Sequence, residues 1–146
     1  MRPGVWRPPV EPSAVEQAVI KAVRRARLFV FLRQYRHELF DEQFQAELAG
    51  AYVHSPKGQP PVPPARLALA TIVQAYLGVS DDEVIEATVM DRRWQLVLDC
   101  MDVSHPPFSK GALVGFRARL IEKNLDRRLV ERTVALATLW GDDCER

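Results

Sequence analysis

Apolar residues recur along this chain at three- and four-residue intervals, and no stretch alternates over the length of a strand. That spacing predicts helices throughout. Ser13 with Glu16 three residues on forms a capping box that opens the first helix. Its inward stripe is Val15, Val19, Ala22, Val23, Ala26, Phe29 and Val30, with Lys21, Arg24 and Arg25 opposite. A second helix is expected over 41–51, with Phe44 and Leu48 inward. The string ARLALATIVQAYL after Pro64 is a strongly apolar helix that Gly78 stops. Ser80 caps the next helix, again with Glu83 at the capping-box position. Further helices are expected over 91–101, with Trp94, Leu98 and Met101 on one stripe, and from Ser109 to about Lys123, with Asn124 as the stop. The last runs from 125 to 140 on a stripe of Leu125, Leu129, Leu136 and Trp140.

Prolines mark the gaps. Four of the 11 fall in residues 1–12, five in 56–64 and two at Pro106 and Pro107. The expected organisation is a flexible proline-rich tail over 1–12, one helical domain over 13–140, a stiff loop HSPKGQPPVPP within it, and a short tail over 141–146. The fold class is therefore all-α, a compact multi-helix domain containing helix-turn-helix-like units.

A length of 146 residues is enough for one domain with a proper core. The formal net charge of +1 does not announce a nucleic-acid partner, so a basic surface has to come from uneven placement of charge. Two cysteines without motif spacing fit a reducing cytoplasm and inert thiols. The opening MRPGVWRPPVEP lacks an apolar h-region and is not expected to act as a signal peptide, and no apolar run approaches the roughly 20 residues of a membrane span.

The turn Gly78-Val79-Ser80 between two helices has the form of a helix-turn-helix, in which apolar residues lock the pair. The second helix, however, carries Asp81, Asp82, Glu83 and Glu86. DNA presents about one negative charge per 1.7 Å of duplex axis and would repel them. Carboxylates in a first helical turn are favoured by the macrodipole, so this helix reads as scaffold whose acids stabilise its start and face water.

The better candidate reader is FSKGALVGFRARLIEK, residues 108–123. Leu113, Phe116 and Leu120 share its inward face. Gly111, Ala112, Gly115 and Arg119 lie on the other side, and Lys110, Arg117, Arg119 and Lys123 outnumber the single Glu122. Two glycines and an alanine leave a bare strip of backbone that either DNA or another protein helix could approach. Ser109 and the helix N-terminus could hold a phosphate. Arg92 and Arg93 before Trp94 are candidate phosphate contacts. Arg127, Arg128 and Arg132 on the last helix, and Lys21, Arg24 and Arg25 on the first, read as solvated basic faces.

Catalytic chemistry is not legible. His37, His54 and His105 lack metal-ligand spacing, and neither a phosphate loop nor a nucleophile elbow is present. The acidic runs 81–83 and 142–145 are local, whereas two-metal sites draw carboxylates from separate elements. No catalytic residue, metal or cofactor is expected.

The string GVSDDEVIEATVMDRRWQLVLDC, followed by PPFSKGALVGFRARLIEKNLDRRLVERTV, resembles the N-terminal domain of bacterial insertion-sequence transposases of the DDE class. The matching pieces are Gly78 to Asp81, then Asp91, Arg93 and Trp94, then Phe108, Ser109 and Leu113, then Phe116, Arg117, Arg119 and Leu120, within residues 30–138. The resemblance implies a helical domain that recognises terminal inverted repeats, beside an RNase H-like domain that cuts and joins strands. No position here matches that catalytic domain, so the expectation is a chain without strand-transfer chemistry: a truncated element, a split reading frame or a fragment. It would be cytoplasmic and nucleoid-associated, with double-stranded transposon ends as partner and neither a membrane nor a small-molecule substrate. The expected DNA contacts are Arg92, Arg93, Ser109, Lys110, Arg117 and Arg119. The alternative is a protein-interaction module that dimerises with, or inhibits, a full-length transposase through Leu129, Leu136 and Trp140.

Overall fold

The computed structural model describes residues 4–52 and 62–144, with side chains as far as 141. The proline-rich loop falls mostly outside the described residues. Among them are eight helices and no strand: α1 (Ala14–Ala22), α2 (Leu28–Leu39), α3 (Glu42–Ala49), α4 (Pro64–Leu77), α5 (Asp81–Met90), α6 (Arg92–Leu98), α7 (Lys110–Glu122) and α8 (Leu125–Cys144). The all-α class holds.

The local punctuation is that of the sequence. Ser13 and Ser80 both close complete capping boxes with Glu16 and Glu83. Ser109 accepts from the Ala112 amide at 3.1 Å. Gly78 ends α4 in the left-handed region at φ 68°, where a side chain would be strained. Asn124 does the same after α7 at φ 57°.

α4 lies at the centre, packed against α2, α3, α5, α6 and α7. Ala65, Leu67, Ala68, Leu69, Ala70 and Val73 are all buried, and small alanines let the neighbouring helices come close. Around them gather Phe29, Phe44, Trp94, Leu98, Leu113 and Phe116. Trp94 meets Phe29 edge-on at 6.1 Å, and Trp140 meets Phe31 at 5.5 Å.

Four boundaries differ from the sequence reading, each for a physical reason. The first long stripe is two helices. The chain leaves α1 at Val23 and turns through Ala26, at φ 52°, before α2 starts. No Gly or Pro marks that break. α2 turns Arg33 and Arg36 inward, at 2% and 1% exposure, where a hydrophobic pattern counts them as outward. α6 ends at Leu98, because Asp99 adopts the left-handed conformation at φ 57°. α8 continues through Gly141 to Cys144, since a single glycine costs only about 1 kcal/mol in a helix.

The fourth difference is the N-terminal segment. The tail expected to be flexible is, over residues 4–12, a strap held on α2 and α3. Gln45 accepts from the Trp6 amide at 2.7 Å and donates to the Trp6 carbonyl at 2.9 Å. Arg36 donates to the Pro9 carbonyl at 2.9 Å, and Arg33 to the Val10 carbonyl at 3.0 Å. The Trp6 ring lies between the guanidiniums of Arg36 and Arg66, 5.5 and 5.3 Å away. A proline-rich segment suits this role, because its extended backbone leaves carbonyls free to accept.

Candidate nucleic-acid interface

α7 crosses α4 and α5 with Leu113, Phe116 and Leu120 buried beneath it. The acids of α5 explain how it is held there. Asp81 accepts from both ends of the Arg117 guanidinium, at 2.9 Å on one side, and from Gln74 at 2.8 Å. Gln74 in turn accepts from Arg117 at 2.9 Å. Asp82 pairs with Lys110 at 3.2 Å. The hydrogen bonds from Arg117, then that from Gln74, hold the Asp81 carboxyl well below the usual carboxylate range, and the Arg117 guanidinium is raised in return. Asp81 thus does more than stabilise the start of α5 and face water: it holds α7, while Asp82 stays exposed.

The expected DNA contacts therefore separate. Arg117 is committed to Asp81. The Lys110–Asp82 pair is exposed on both sides, at 55% and 79%, and contributes little as an ion pair, so Lys110 stays exchangeable. The Ser109 hydroxyl is occupied as the α7 N-cap. Arg119 has no carboxylate partner among the described residues. It lies 4.4 Å over the Tyr52 ring. Together with Lys123, Glu122, Gly115 and Ala118 it lines a cleft of about 450 Å³ between α7 and the end of α3. A Cβ on Gly115 would stand 3.0 Å from an Arg119 guanidinium nitrogen, so the glycine makes room for this arginine. At Gly115 the strip read as bare backbone is covered by the Arg119 side chain.

Arg92 and Arg93 sit away from α7, at the start of α6. Arg93 grips Asp91 as a fork, at 2.7 and 3.1 Å, and lies 4.8 Å over Phe29. Burial pushes the Asp91 carboxyl up, but the hydrogen bonds from Arg93 outweigh it and the net shift is downward. Arg92 is exposed and unpaired among the described residues. The basic face read on α8 is largely consumed: Arg128 holds Glu47 at 2.5 and 3.0 Å, and Arg132 donates to the Leu39 carbonyl at 2.8 Å. These links span 81 and 93 residues, which no local pattern exposes.

Among the described residues no cluster of His, Cys, Asp and Glu is placed to hold a metal ion. Cys100 is buried, which pushes its thiol up to about 11. No helix among the described residues is long and apolar enough to cross a membrane.

Five helices packed on a buried α4, with α7 clamped to α5 through Arg117 and Asp81, form the centre of a small all-α module. Residues 21–119 match the family described as transposase domain (DUF772), and the chain belongs to that family. The matched region runs from the end of α1 to α7 and contains the α5–α7 clamp and both arginine-bearing clefts almost whole. No curated protein and no solved structure matches the chain.

Proposed function

We propose that this domain binds double-stranded DNA in transposition and reads transposon ends through the outer face of α7. The observation that carries the reading is the α3–α7 cleft. Arg119 and Lys123 line it with no ion pair among the described residues, Glu122 is the one carboxylate in its lining, and Gly115 makes room for the Arg119 guanidinium. An arginine resting on an aromatic ring suits a groove or phosphate contact. Membership in a transposase family supports the same partner.

Binding of a labelled duplex measured across a salt series tests the assignment. Arg119→Ala is expected to weaken binding and to lower the salt slope by about one unit, because one phosphate-neutralising cation is lost. Arg117→Ala, by contrast, is expected to leave the slope nearly unchanged, since its charge is already spent on Asp81, and to appear instead as lost stability. A slope for Arg119→Ala equal to that of wild type would remove this face of α7 from the interface.

A second reading, self-association, is favoured by one observation. Leu129 is buried, whereas Leu136 and Trp140 pack on the core and stay partly exposed. The other side of α8 presents Val130 and Val134, 60% and 57% exposed. With Ile72 and Ala75 they line an apolar groove of about 280 Å³. Soluble monomers seldom leave such a face open. If a second copy of the domain covers it, sedimentation mass should rise with concentration, and Val134→Asp should abolish the rise. A monomer mass at every concentration would eliminate this reading.

A further inference from the structure

The connection between α1 and α2 and the first residues of α6 come together although some 70 positions separate them in the chain. Between them is a cleft of about 480 Å³ lined by Arg24, Arg25, Arg92 and Arg93 over a floor that includes Ala22 and Val23. It shares no residue with the α3–α7 cleft. Several other arginines are spent on carboxylates: Arg33 on Glu16, Arg117 on Asp81, Arg128 on Glu47 and Arg132 on Asp41. Arg24, Arg25 and Arg92 have no such partner among the described residues, and no carboxylate lines the cleft. The nearby Asp91 is already covered by the Arg93 fork.

Three unpaired guanidiniums around one concavity repel each other and are relieved by an anion. Their planar donor forks match phosphate oxygens two at a time. The small apolar floor adds a surface on which a sugar ring can rest. We infer that this cleft holds the sugar-phosphate backbone of DNA, as a second grip separate from α7. The inference rests on the proposed DNA-binding function and deepens it. It adds Arg24 and Arg25 to the interface and moves Arg92 from a supporting role to the centre of its own site.

The test uses the full chain and a labelled duplex in a salt series, with helicity followed in parallel. Replacing Arg24, Arg25 and Arg92 together by alanine should lower the magnitude of the salt slope by about 2 to 3 units, near 0.9 for each phosphate contact removed. Ala22→Glu, which keeps every arginine and adds a carboxylate to the floor, should weaken binding in the same direction. If wild type binds the duplex and both variants match it in affinity and slope, the cleft is not a DNA site and the α7 reading stands alone. If wild type does not bind duplex at all, both fall. A third arm follows the backbone amides of Ala22 and Val23 by NMR. The duplex should shift them at concentrations where inorganic phosphate does not; equal shifts by inorganic phosphate would overturn the DNA assignment in favour of a free-anion site.

Discussion

Arg36→Ala is expected to lower the unfolding free energy by roughly 3–5 kcal/mol, from the cavity it leaves and the carbonyls it abandons. Arg36 is 1% exposed. Its guanidinium donates to the carbonyls of Leu96 and Val97, at 3.1 and 3.0 Å, and to that of Pro9. Two of these belong to the last turn of α6, whose carbonyls have no partner within the helix. A cation at that end also meets the negative pole of the helix dipole. Arg36 thus caps α6 from inside the core and ties the N-terminal strap to it. Burial lowers its pKa to about 10, which leaves it charged at neutral pH. Domains of this kind have only about 5–15 kcal/mol of stability in total, so the variant should be partly unfolded at modest urea. Arg36→Lys keeps the charge but not the fork and should fall between. A loss under about 1 kcal/mol for the alanine variant would show that water or repacking satisfies those carbonyls.

The second large effect is at Glu16. One of its oxygens completes the capping box on Ser13, and the other accepts from Arg33 at 2.9 Å, in a pair whose side chains are 7% and 2% exposed. Removing one member of a buried pair strands the other charge and costs about 3–5 kcal/mol, whereas replacing both with apolar groups is often close to neutral. Glu16→Ala is accordingly expected to be severe, and Glu16→Leu with Arg33→Met to recover most of the loss. Recovery should stop short of complete by about 1 kcal/mol, because the capping box goes too. The pair also sets an acid limit. Burial alone would raise the Glu16 carboxyl, but the hydrogen bond from Arg33 and that from the Ser13 amide bring it below its ordinary 4.5. The folded state therefore binds this proton more weakly than the unfolded chain. The contribution is present in full above about pH 4.5 and lost as pH falls through the lowered value. Urea midpoints across pH 3 to 7 should show wild type losing more stability in acid than the apolar double variant. Parallel curves would contradict the assignment.

The legibility of this chain follows the range of its interactions. Caps, stops and helix faces depend on residues three or four apart, and Ser13, Ser80, Ser109, Gly78 and Asn124 do what their types dictate. The buried α2 was not legible as a separate helix, since Arg33 and Arg36 sit where a pattern demands apolar residues. The site was legible in composition but not in bookkeeping. Lys110, Arg117, Arg128 and Arg132 all count as basic surface in the sequence. In the fold their charges meet Asp82, Asp81, Glu47 and Asp41 from other helices. A net charge of +1 hides which cations remain, and only the packing reveals that five of them, Arg24, Arg25, Arg92, Arg119 and Lys123, line two clefts.

The central claim is that those remaining cations bind DNA. Selection from a random duplex pool at near-physiological salt, followed by a salt titration on the enriched duplex, tests it most directly. Arg24, Arg25, Arg92, Arg119 and Lys123 each neutralising one phosphate give an expected slope of about −4 to −5 in log affinity against log salt, with one sequence motif enriched. No enrichment and a slope near zero would contradict the account and leave self-association through α8 as the reading to pursue.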